Sequence, residues 1–66
     1  MATKYPHIKV VLVGEDGNAF AIMGRVRTAM RKGGCTSEQV EEFTTAATSG
    51  DYDNLLCTVM DYVDAD

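Results

Sequence analysis

Only one stretch of this chain reads as a β-strand, and everything after it reads as helix. Tyr5-Pro6 opens the stretch, and Ile8, Val10 and Leu12 then alternate with Lys9, Val11 and Val13. β-Branched residues fit a pleated, packed surface, and Pro is tolerated where a strand begins. The pattern predicts a strand over 5–14, broken by Gly14-Glu15-Asp16-Gly17. Both strand faces are apolar beyond Lys9, so both are expected to be covered. A lone strand leaves main-chain donors and acceptors unpaired and is not stable by itself. Its neighbour has to be residues 60–64, where Tyr62-Val63 favour extended backbone, or a second copy of the chain. Val11 and Val13 add weight to the second copy.

Two readings compete for the next segment. Asp16-Gly17 between apolar runs is a hairpin signal, which would make Ala19–Met23 a second strand. A helix from about Asn18 to Lys32 fits a longer template and is preferred. Asn18 suits an N-cap, and Ala19, Ile22, Met23, Val26, Ala29 and Met30 fall on one face. Arg31 and Lys32 suit the negative end of the helix dipole, and Gly33-Gly34 supplies the stop. Thr36-Ser37-Glu38-Gln39 is a capping box that starts a second helix with Val40, Phe43 and Ala47 inward. Ser49-Gly50 ends it. Asp51 caps a third, from about Tyr52 to Tyr62, with Leu55, Leu56, Val59, Met60 and Val63 as its inward stripe. The expected fold is therefore one small α+β domain of 66 residues: an N-terminal strand and three short helices.

A domain this short buries about 60% of its unfolded surface, and small domains commonly add a disulfide, a metal or a partner subunit. Cys35, Cys57 and the single His7 do not make the clustered four-ligand set of a structural zinc. The N-terminus lacks the apolar core of a signal peptide, and no apolar run reaches the roughly 20 residues of a membrane span. The expected location is the cytoplasm, where a Cys35–Cys57 disulfide is disfavoured and both cysteines read as buried apolar side chains. Oligomerisation, in its simplest form a dimer, remains as the stabilising device.

Charge is divided along the chain. Residues 1–33 carry a net +4 and residues 34–66 a net −8, for −4 overall. One end can meet anions that the other repels, or the two halves can face each other. The acidic total disfavours nucleic acid. No nucleophile–base pairing is apparent, although Cys35 precedes a helix N-terminus that would lower its pKa. Asp51-Tyr52-Asp53-Asn54 resembles part of a calcium loop but lacks its spacing and terminal Glu. The sequence thus points to a non-enzymatic protein with no metal and no cofactor.

Opposite its apolar stripe the first helix carries Ala21, Gly24 and Thr28, flanked by Phe20. A solvated helix face is rarely built that way, and Gly in a helix interior costs about 1 kcal/mol relative to Ala. Phe20, Ala21, Gly24, Arg27, Thr28 and Arg31 are therefore the expected interface with a second copy or a partner protein. The alternative is a small anionic ligand, such as a signalling nucleotide. Its donors would be the main chain of Gly17, Asn18 and Ala19 at the helix N-terminus, with Arg25, Arg27 and Arg31.

The stretches Gly14-Glu-Asp-Gly-Asn-Ala-Phe-Ala-Ile-Met-Gly24-Arg-Val-Arg-Thr-Ala-Met30 and Ala47-Thr-Ser-Gly-Asp-Tyr-Asp-Asn-Leu-Leu56 resemble a family of short bacterial and bacteriophage proteins with no assigned activity. The resemblance extends from about Val10 to Val63 and carries no residue role. It implies a small accessory protein, of phage or bacterial origin, that binds and modulates a host protein or captures a signal molecule.

Overall fold

Three capping side chains set where the helices begin. Asn18 Oδ1 accepts the Phe20 N–H at 2.8 Å and opens α1 (Ala19–Lys32). Thr36 Oγ1 accepts from Gln39 N at 3.2 Å while Gln39 Oε1 accepts from Thr36 N at 2.7 Å, a complete capping box for α2 (Ser37–Ala47). Asp51 Oδ1 accepts from Asn54 N at 3.0 Å and opens α3 (Tyr52–Tyr62). Each cap satisfies a main-chain donor that a helix start leaves without an internal partner. Ala19–Met23 is therefore the beginning of α1, not a second strand.

The computed structural model describes residues 3–12 and 17–65. Within them β1 (Tyr5–Val10) pairs in parallel with β2 (Val63–Ala65), at opposite ends of an α+β chain. The strand's neighbour is thus the chain's own C-terminal segment. It begins at Val63, because residues 60–62 complete α3. Tyr5 lies opposite Val63, Lys9 opposite Asp64 and Val10 opposite Ala65, with an irregularity between Tyr5 and Lys9. Pro6, which has no N–H to give to a ladder, falls inside that irregularity.

β1 is shorter than the apolar run suggests. Its last partner is Ala65, so nothing continues the ladder beyond Val10; Val11 and Leu12 leave the strand, and Val13 and Gly14 lie outside the described residues. Only one face of β1 is covered, by the helices that receive Ile8 and Val10. Lys9 is exposed and Val11 is 60% exposed on the other side, which corrects the expectation of two covered faces.

The core gathers Val26 and Met30 from α1, Phe43 from α2, Val59 from α3 and Val63 from β2, all fully buried. Gly33 permits the close fit between β1 and the end of α1: a Cβ there would stand 2.6 Å from Ile8 Cγ1. Gly34 follows at φ +94°, a left-handed conformation that favours glycine at a helix end. The inward stripe of α3 is rotated from the expected one. Met60 is 56% exposed and Leu56 half-buried, while Thr58 and Tyr62 turn inward. Thr58 can be buried because its hydroxyl donates to Asn54 O at 2.7 Å. Tyr62 packs edge-on against Phe43, ring centroids 5.4 Å apart, and its hydroxyl reaches Glu42 Oε1 at 3.0 Å.

Glu42 also accepts a hydrogen bond from Lys4 Nζ, which lies 4.7 Å from the Tyr62 ring centroid. The Lys4 bond, and then the Tyr62 bond, hold the Glu42 carboxyl below its ordinary pKa. A carboxyl lowered on folding contributes stability above its unfolded pKa of about 4.3 and loses it as the pH falls through the lower folded value. Denaturant titrations across the acid range are expected to show stability falling in that window, and a flatter acid limb in Glu42→Gln.

Candidate interaction face

α1 turns a continuous strip away from the core. Phe20, Gly24, Arg27 and Arg31 recur at the three- and four-residue spacing that aligns side chains along a helix. Phe20 is 82% exposed, and a Cβ added to Gly24 would meet nothing within 4 Å. Arg31 is exposed. Arg27 lies half-buried along the helix, and its Nε is buried with no hydrogen-bond partner among the described residues. Thr28 is exposed beside this strip, whereas Ala21 is half-buried.

On one flank the helix and β1 enclose an open groove of about 570 Å³. Val10, Val11 and Lys9 form its β1 side; Gly24, Arg25, Thr28, Ala29 and Lys32 form its α1 side. Gly24 and Thr28 thus belong both to the outward side of α1 and to the groove. Lys32 joins them because residues 25, 28 and 32 are successive helical neighbours, a periodic signal readable in the sequence. Lys9 has no such signal: only the tertiary packing of β1 beside α1 brings it there. Lys9 Nζ lies 3.9 Å from Asp64 Oδ2, an exposed pair.

The N-terminal anion site does not join this groove. The Asn18 side chain already takes the Phe20 N–H, and the Gly17 carbonyl accepts the Tyr52 hydroxyl at 2.7 Å. Ala19 lines a different depression, with Met23, Tyr52 and Leu55. Ala19 and Arg31 stand about 18 Å apart along the helix axis, at 1.5 Å per residue. One small anion does not span that distance, so Gly17, Asn18 and Ala19 are not brought together with Arg31.

No protein-family model matches the chain, and neither a curated protein nor a solved structure does. The two stretches that carry the family resemblance meet in space, and their contacts are those of a scaffold. Tyr52 holds Gly17. Asn54 Nδ2 donates to Ala46 O at 2.9 Å, and Ser49 Oγ donates to the same carbonyl at 2.8 Å, closing the end of α2. Gly50 leaves room for Asn54, whose Cβ would lie 2.9 Å from a Cβ there. Asp51 and Asn54, read as part of a cation loop, are thus engaged in capping the turn between α2 and α3.

The other reactive groups are separate. His7 is exposed, with the Tyr5 ring edge-on at 6.5 Å. Cys35 and Cys57 are free thiols; Cys57 is exposed, which corrects its expected burial. Cys35 is half-buried, and burial pushes its thiol pKa up, so the α2 N-terminus does not activate it. Among the described residues no three His, Cys, Asp or Glu side chains are grouped to hold a metal ion. No described helix is long and apolar enough to cross a membrane.

Proposed function

We propose that this is a non-enzymatic cytoplasmic binding protein that self-associates and modulates a partner protein through the outward side of α1. The observation that carries this reading is Phe20, a large apolar side chain 82% exposed beside the open surface of Gly24 and the guanidinium groups of Arg27 and Arg31. Aromatic and Arg side chains are the types that anchor protein interfaces. Small chains also gain stability from partner subunits, which supports a homo-oligomer. The family resemblance of the two motif stretches supports a phage-borne or bacterial accessory role, with a host protein as the target.

Native mass spectrometry of protein taken gently from its own cells tests the reading. The unaltered chain is expected as a dimer or larger assembly retaining a protein partner. Phe20→Ser is expected to lose that partner while its circular dichroism remains that of the folded chain. A partner retained equally by Phe20→Ser contradicts the assignment. The second reading, a sponge for a small anion, draws support from the basic groove. It requires a retained mass of a few hundred daltons, of the order of a nucleotide, lost on charge reversal at Arg25 or Lys32.

A further inference from the structure

β1 has a strand on one side only. β2 takes one edge, and among the described residues no strand takes the other. That free edge is about 20 Å long for six residues at 3.3 Å each. Natural sheets protect such edges with Pro, Lys and irregularities, because unpaired main-chain groups accept any passing strand. β1 has all three at its start: Pro6, Lys9 and the irregular register between Tyr5 and Lys9. From Lys9 onward the protection lapses, and the edge runs out to Val11, 60% exposed.

The groove beside α1 lies along this same unprotected end. Gly24, Thr28 and Ala29 give it small side chains toward α1, and Lys9, Arg25 and Lys32 give it positive charge. Resting on the protein-binding reading above, we propose that the free edge of β1 from Lys9 to Val11 receives an extended acidic segment of the partner protein, added as a third strand. Main-chain hydrogen bonds to β1 would supply affinity. Alternate side chains of the guest would enter the space beside Gly24 and Thr28, and its carboxylates would meet Arg25, Lys32 and Lys9.

Charge complementarity selects this occupant. A second copy pairing symmetrically through the same edge would set each of these cations against its own counterpart, and like charges across strands are destabilising. The chain's own Val63–Ala65 is already engaged on the opposite edge. Nucleic acid offers phosphates but no main chain to continue a sheet, and the overall charge of −4 opposes it.

Fluorescence anisotropy on the full chain tests the proposal with two labelled peptides of about eight residues, a normal strand length. One alternates Glu and Val; the other alternates Glu and Pro, keeping the charge but unable to extend a ladder. The Glu/Val peptide is expected to bind, and the Glu/Pro peptide to bind at least about tenfold more weakly, since it forfeits the strand hydrogen bonds. The double variant Arg25→Glu with Lys32→Glu, checked for folding by circular dichroism, is expected to weaken the Glu/Val peptide by about tenfold as two attractive pairs become repulsive. Equal binding of the two peptides overturns strand addition, as does absence of binding. Displacement of the Glu/Val peptide by inorganic phosphate or a DNA duplex at the peptide's own concentration also overturns it, in favour of a general anion site. Loss of the peptide result while Phe20-dependent partner capture persists removes this inference and leaves the broader binding reading standing.

Discussion

Phe43→Ala is expected to leave most of the chain unfolded at room temperature. Phe43 is fully buried in α2 and packs edge-on against Tyr62, itself 7% exposed. Truncating a buried Phe to Ala costs about 3–5 kcal/mol through lost transfer energy and the cavity left behind. A domain of this size rarely holds more than about 3–5 kcal/mol in total, so the loss approaches all of it. Tyr62 would lose its ring partner, and with it the support for the hydroxyl that reaches Glu42. Urea titration followed by circular dichroism checks this. A variant still folded in the absence of denaturant, with a midpoint close to that of the unaltered chain, would show that the core does not centre on α2.

The opposite behaviour is expected of Gly24→Leu. A Cβ at position 24 meets nothing within 4 Å, so the larger side chain extends into open space rather than into the core. Replacing a helix-interior Gly with a strong helix former removes a propensity cost of about 1 kcal/mol, so the variant is expected to melt at a higher temperature than the unaltered chain. It is also expected to lose binding. The new side chain rises between Phe20 and Arg27 on the outward strip and enters the groove beside β1. A few tenths of an ångström of misfit already costs packing in a close interface. Thermal melts and partner retention, measured on the same sample, separate the two effects. A variant more stable and still fully competent to bind would place the interface elsewhere.

Local chemistry made the helices legible. Asn18, Thr36 with Gln39, and Asp51 each satisfy a main-chain donor within a few residues, so the start of each helix is set by sequence neighbours. The pairing of the first strand with the C-terminal residues was one of two open readings, because a strand's partner is fixed by tertiary closure. The end of β1 was not readable for the same reason: it depends on where β2 runs out, at Ala65. The inward stripe of α3 was misjudged at Met60 and Thr58. Hydropathy alone does not register that a Thr hydroxyl bonded to Asn54 O becomes fit for burial, or that Tyr62 has Glu42 within reach.

The candidate site divides in the same way. The outward strip of α1 follows from helical periodicity and was visible in Phe20, Gly24, Arg27 and Arg31. The groove required β1 to lie beside α1, which no spacing announces, so Lys9 entered only with the fold. Conversely, Gly17, Asn18 and Ala19 looked available to an anion, but hydrogen bonds from Phe20 N–H to Asn18 and from the Tyr52 hydroxyl to Gly17 give this turn structural work.

The most direct test of the outward face is site-specific photocrosslinking in the cells that carry the protein. A photoreactive phenylalanine analogue takes the place of Phe20 in one strain. In a second strain it takes the place of Glu41, which is exposed on α2. The account predicts a discrete heavier adduct from position 20 and little or none from position 41. Equal adducts from both positions, or none from position 20, would contradict it.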